Sequence, residues 1–279
     1  MVLIFLSIGV HLWLNEGSIM GYPTLTYQHD GGIATIALSV PEKRNAISAQ
    51  MITDMLAALQ QAEEGPARVV IITGSGKSFC AGMDLDELQH AARQTQPKNL
   101  EDARRVTKIF FRLHSFPKPV IAAVNGAAIA GGCGIATLAD FTIAVPEAKF
   151  GYSEVKLGFI PALVSVFLRR RLGDRQVRDL LLTGRVVDAA EALRMGLITE
   201  VVPAEKLMDR AREIAALLLA ASPSAIALTK KLLLSFDRTA IRAELEMAID
   251  ANVESRATPD FREGVTAFLE KRAPKWGSS

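Results

Sequence analysis

Two stretches of this sequence place glycine and small residues directly after a short apolar run. Gly74-Ser75-Gly76-Lys77-Ser78-Phe79-Cys80-Ala81-Gly82-Met83-Asp84 follows the run 69–72, and Asn125-Gly126-Ala127-Ala128-Ile129-Ala130-Gly131-Gly132-Cys133-Gly134 follows the run 119–124. A strand that ends in such a loop and then enters a helix exposes backbone N–H groups able to hold an anion or a developing oxyanion. Glycine permits the approach because a Cβ would block it. Taken singly, each stretch reads equally well as a tight turn. The third feature is Glu154, set among apolar and small residues in Phe150-Gly151-Tyr152-Ser153-Glu154-Val155. A carboxyl there loses hydration when ionised, so its pKa rises toward the working range of a general acid/base. The alternative is a structural glutamate paired with Lys156 or Arg169.

Other chemistries fit less well. Gly76-Lys77-Ser78 looks like the end of a phosphate-binding loop, but the position that needs the leading glycine is Ile71, and Phe79-Cys80-Ala81-Gly82 stands where a helix should begin. No Gly-x-Ser-x-Gly elbow occurs, and His11, His29, His90 and His114 read as surface residues rather than triad members. Cys80 and Cys133 read as small core residues. Two cysteines build neither a disulfide framework nor a four-ligand zinc site, and a reducing cytoplasm is the simplest setting. A net charge of +2 argues against a nucleic-acid surface.

The elements that must position these residues follow from periodicity. Residues 25–28 and 32–38 read as strands around a turn, 47–62 as a helix, and 69–72, 119–124 and 141–145 as buried strands. Helices are predicted over 85–92, 103–114 and 131–138, with a polar loop around 94–99. Beyond Pro161 the chain reads as mostly helical, over 189–195, 204–220, 224–235, 240–253 and 259–271. Strand–helix alternation followed by helices defines an α/β core with a C-terminal helical region. With 49% hydrophobic and 22% charged residues in 279, the chain can bury a large core. The segment 2–14 is apolar apart from Ser7 and His11, lacks the basic start of a secretory signal and is short for a membrane span. It reads as an extension outside the fold, with membrane or partner association as the alternative. The expected organisation is an extension at 1–20, a core at 21–205 and a helical region at 206–279.

From about Tyr22 to Trp276 the sequence resembles the enoyl-CoA hydratase/isomerase (crotonase) superfamily. The likeness is carried by Pro41-Glu42-Lys43-Arg44-Asn45-Ala46-Ile47, by the two glycine loops, by Thr183-Gly184 with Ala189-Ala190-Glu191-Ala192, and by Met195-Gly196-Leu197-Ile198-Thr199-Glu200-Val201-Val202. The resemblance implies a spiral of ββα units with C-terminal helices that form a homotrimer or hexamer. It implies an acyl-CoA substrate and no separate cofactor or metal. The N–H groups of Ala81 and Gly131 would grip the thioester oxygen, with Glu154 as acid/base. Lys43, Arg44 and Ala46 would meet the CoA nucleotide, while Gly82, Met83 and Asp84 would line the pantetheine path, Asp84 in a structural role. Phe268 and Lys271 fall where a neighbouring subunit's last helix reaches CoA.

Two departures bear on the reaction. The best-known hydratases carry two glutamates, and the position of the first is Gly134 here. The remaining single-glutamate pattern resembles bacterial methylglutaconyl-CoA hydratases. Pro161-Ala162-Leu163-Val164 replaces a glycine-rich turn and implies a different acyl pocket. Hydration of a 2-enoyl-CoA is the leading expectation. Double-bond isomerisation, a chemistry using Tyr152 or Ser153, and a non-catalytic acyl-CoA-binding protein are the alternatives.

Overall fold

A computed structural model describes residues 19–277, so the apolar segment 2–14 lies outside the described residues. The strands are β1 (Ile19–Gly21), β2 (Leu25–Asp30), β3 (Ile33–Leu38), β4 (Val69–Gly74), β5 (Ser78–Cys80), β6 (Val120–Val124), β7 (Ala127–Ile129), β8 (Phe141–Ala144), β9 (Lys149–Gly151), β10 (Val186–Asp188) and β11 (Glu200–Val201). The helices are α1 (Ala49–Glu64), α2 (Leu85–Ala91), α3 (Gln96–His114), α4 (Gly131–Leu138), α5 (Ala162–Leu168), α6 (Asp174–Thr183), α7 (Ala189–Met195), α8 (Leu207–Ala220), α9 (Pro223–Arg256) and α10 (Pro259–Leu269).

A seven-stranded sheet runs in the order β1-β2-β3-β4-β6-β8-β11. Its first three strands are antiparallel, and β3 through β11 are parallel. The β2–β3 hairpin turns at Gly31 and Gly32, both at positive φ, as a type I′ turn requires. Strands β4 and β6 are apolar without alternation because both faces of this parallel sheet are covered. Helix α8 lies against β4, β6 and β8, while α9 packs along α3 and α5.

The smaller sheet, β10-β9-β7-β5, positions the site. Each turn of chain gives one strand to the large sheet and one to the small: β4 then β5, β6 then β7, β8 then β9. This is the expected ββα spiral. Strands β5, β7 and β9 are mutually parallel, so all three release the chain at one end. From that end emerge Ala81–Asp84, Ala130-Gly131 and Ser153-Glu154. The backbones of the first two turns cross very closely at both ends of these strands. A Cβ on Gly126 would stand 2.1 Å from the Lys77 carbonyl oxygen, and one on Gly132 would stand 2.3 Å from that of Cys80.

The structure departs from the sequence expectations in several places. The three-residue strands of the small sheet are too short to carry a periodic pattern. Residues 96–99, read as loop, form the first turn of α3, which tolerates Pro97 because the first helical N–H groups have no partner. Helices expected at 224–235 and 240–253 are one helix, because no glycine or proline interrupts it. Helices α5 and α6 were not predicted. Ile19 and Met20 pair with β2, so the fold begins before residue 21. The C-terminal helical region is present, and its helix α8 covers the main sheet.

Within the loop 41–47, Asn45 makes the most side-chain bonds to the first glycine loop. Arg44 and Asn45 adopt left-handed backbone, which asparagine tolerates better than most residues. The buried Asn45 donates from Nδ2 to the carbonyls of Ser75 (3.0 Å), Ser78 (2.9 Å) and Phe79 (3.2 Å), and accepts from the Val40 N–H at 2.9 Å. Replacing it leaves buried carbonyls without donors. Asn45→Ala is expected to cost about 2–4 kcal/mol, read as a lower midpoint in urea unfolding.

Candidate active site

The three segments released by the small sheet open into one cavity of about 710 Å³. It is lined by Ala81, Met83 and Gly131, by Glu154, and by Lys43, Arg44, Ala46 and Asp84 from the expected CoA-binding set. Gly82 does not line it, because that position is pressed against Ala130.

The donors of the first loop differ from the expectation. The Ala81 N–H is engaged by the Arg44 carbonyl at 3.0 Å and is not free for a ligand. Residues 82–84 bridge Ile47: the Ile47 N–H donates to the Gly82 carbonyl at 2.7 Å, and the Asp84 N–H donates to the Ile47 carbonyl at 3.0 Å. Successive peptide groups along an extended segment point to opposite sides, so the Met83 N–H faces away from Ile47. It has no hydrogen-bond partner among the described residues, and Met83 lines the cavity. The alternation was unreadable from sequence because it depends on pairing with Ile47.

The second donor is the Gly131 N–H at the start of α4, where no intrahelical partner exists. Ala130 holds φ 51 and ψ −124, a conformation costly for a residue with a Cβ, and its N–H donates to the Gly151 carbonyl at 2.7 Å. This turn aims Gly131 toward the first loop. An ideal Cβ on Gly82 would lie 3.7 Å from the Gly131 nitrogen, which places the two loops side by side.

Glu154 opens a one-turn 3-10 helix, Glu154–Leu157, and is 6% exposed. Burial pushes its carboxyl up to about 7, opposed only in part by its own backbone N–H. Its Oε2 is buried without a partner. The structural ion-pair reading fails: Glu154 forms no ion pair among the described residues, and Arg169 reaches Glu244 instead, at 3.7 Å. Helix α10 backs this turn so closely that a Cβ on Gly158 would stand 2.1 Å from the Asp260 oxygen, and one on Gly264 would stand 2.4 Å from the Leu157 oxygen.

The remaining expected residues divide. Asp84 caps α2 by accepting from the Asp86 N–H at 2.9 Å and binds Lys43 Nζ at 2.9 Å, so its role is structural. Ser153 lines the cavity, whereas Tyr152 does not; it is buried with its hydroxyl 3.1 Å from Thr137 Oγ1. Phe268 lines the cavity of its own chain, and Lys271 does not reach it. Cys80 and Cys133 are buried, with both thiols pushed up to about 12 by desolvation. Two histidines correct the surface reading. His29 is buried, and His114 packs on Phe167 with its pKa lowered to about 4 by burial and nearby cations. His11 lies outside the described residues.

No room remains for a side chain at Gly134. A Cβ there would stand 2.7 Å from Val164 Cγ1 and 3.2 Å from Phe110 Cε1. Gly134→Ala is therefore expected to cost about 1–3 kcal/mol in chemical denaturation, with part regained when Val164→Ala is added. The raised carboxyl gives a second prediction. Glu154 is neutral in both folded and unfolded states below pH 4.5, and the penalty for charging it develops as pH rises from 4.5 to about 7. Glu154→Gln should thus gain stability relative to wild type across that window, by roughly 3 kcal/mol at most, in unfolding curves at stepped pH.

The family model described as enoyl-CoA hydratase/isomerase matches residues 28–279. A Thermus thermophilus protein that carries the name of an enoyl-CoA hydratase is 40% identical over 247 residues, covering 88% of this chain and 98% of the relative. The crotonyl-CoA hydratase of Syntrophomonas wolfei is 36% identical, covering 91% of this chain and 97% of its own. The crystal structure of an enoyl-CoA hydratase/isomerase from Xanthobacter autotrophicus Py2 superposes with a TM-score of 0.83 at 29% identity, covering 90% and 98% of the two chains. This chain belongs to the enoyl-CoA hydratase/isomerase family and has the crotonase fold.

Proposed function

We propose that the protein hydrates a 2-enoyl-CoA, with Glu154 as the sole acid/base and the N–H groups of Met83 and Gly131 as the oxyanion hole. The observation that carries the reading is a buried carboxyl, with its pKa near 7 and one oxygen unpartnered, sharing a cavity with two unpartnered amide donors. Ionised Glu154 takes a proton from water as the water oxygen bonds to the β-carbon of the thioester. Electrons move through the double bond onto the thioester oxygen, where the two N–H groups hold the enolate. Protonated Glu154 then delivers its proton to the α-carbon. Each oxyanion donor of this kind is worth about 10²–10³ in rate. Lys43, Arg44 and Ala46 sit at the same cavity and serve the CoA portion. Leu228, Leu232, Leu233 and Phe236 form an exposed apolar patch on α9 that suits contact with further copies in a trimer or hexamer.

A second reading rests on Gly134. With its space filled by Val164 and Phe110, one carboxyl is available, and moving one proton between the α- and γ-carbons needs no more. Purified protein incubated with 2-enoyl- and 3-enoyl-CoA thioesters separates the two. Hydration should dominate, and Glu154→Gln should lower kcat by about 10²–10⁴ with little change in CoA binding. Migration without hydration would assign the isomerase. Full activity of Glu154→Gln would remove Glu154 from the chemistry, and tight binding without any turnover would make the protein an acyl-CoA binder.

A further inference from the structure

Tyr152 is wholly buried, yet it carries a hydroxyl where phenylalanine would fill nearly the same space. The hydroxyl lies 3.1 Å from Thr137 Oγ1, near the end of α4. Thr137 gives its one hydrogen to the Cys133 carbonyl, 2.9 Å away, so the tyrosine donates to the threonine. The Cys133 thiol, in the first turn of α4, bonds the same hydroxyl. One residue before the tyrosine, the Gly151 carbonyl accepts from the Ala130 N–H at 2.7 Å. The segment 151–152 therefore holds α4 both at its entry, Ala130, and in its second turn, Thr137. By the rise of a helix these two points lie about 10 Å apart along the axis.

Two separated points fix the direction of a helix, where one would leave it free to tilt. Direction matters here because the unpaired N–H groups of a first turn point along the helix axis. A tilt of α4 swings the Gly131 N–H away from the first glycine loop. No side-chain cap holds the start of α4 in its place. The tyrosine end of the same bond sits two residues before Glu154, so it also anchors the turn that carries the acid. Tyr152 does not line the cavity and acts only through these neighbours. We infer that Tyr152 is a positioning residue: its hydroxyl bond to Thr137 sets the Gly131 amide and the Glu154 carboxyl at the separation that proton transfer to a bound enolate requires. The inference rests on the acyl-CoA reading, with Glu154 as its acid/base. A hydroxyl that served the fold alone would leave turnover of the folded protein unchanged.

Steady-state kinetics with the enoyl-CoA thioester that wild type turns over best test the assignment. Tyr152→Phe keeps the ring and removes the bond. It should lower kcat about tenfold or more, while KM and the affinity for a saturated acyl-CoA stay within about twofold of wild type. Thr137→Val removes the pin from its other end and should lower kcat likewise. Combining the two should add little to the larger single loss, because both break one interaction. Thr137→Ser keeps the hydroxyl and should retain most of the wild-type kcat. Unchanged kcat in folded Tyr152→Phe, or single losses that multiply in the double variant, would overturn the inference and leave the acyl-CoA reading in place. A rise in KM with kcat intact would overturn it too. If Tyr152→Phe does not fold, the threonine pair decides: equal kcat in Thr137→Val and Thr137→Ser overturns the inference. A wild-type protein that turns over no enoyl-CoA would bring down both readings.

Discussion

The closeness with which two stretches of backbone cross between β5 and β7 governs this site. Where Lys77 and Cys80 present their carbonyls, Gly126 and Gly132 leave no space for even one carbon atom. That contact sets the second glycine loop beside the first, and the parallel run of β5, β7 and β9 delivers the carboxyl of Glu154 to the same end. Amide groups placed by packed strands and a helix start need little reorganisation when charge develops on a ligand, which is where preorganised dipoles act most strongly. The left-handed turn at Ala130 stores some strain in the same place, held by its bond to Gly151.

The two family departures noticed in the sequence are one packing event. Gly134 leaves out a side chain on α4, and Val164 on α5 together with Phe110 on α3 moves into the vacated volume. Both side chains line the cavity, which is hydrocarbon at this point. Glu154 lines the same cavity, and burial is the cause that raises its pKa.

Much of the frame was legible. Helix α4 and helix α7 begin and end where glycine entry and apolar spacing place them, and the β2–β3 hairpin follows from its paired glycines. The burial of Glu154 followed from its neighbours alone. What escaped reading depends on partners distant in sequence. The choice of Met83 over Ala81 as the free donor is made by Ile47 and Arg44, some 36 to 37 positions away. Arg256 and Asn252 look like ordinary polar residues of a surface helix until α3 and α5 close over them. The short strands of the small sheet gain their identity from each other, since three residues cannot display a period of two for long enough to be noticed.

The clasp of α10 on the Glu154 turn carries a consequence for biosynthesis. The acid is made roughly a hundred residues before the helix that walls it in, and the meeting of Gly158 with Asp260, and of Gly264 with Leu157, is backbone on backbone. Until α10 is made and docks, the turn that carries the acid lacks the backbone it packs against. The wall of the turn is therefore completed by one of the last elements of the chain to be made.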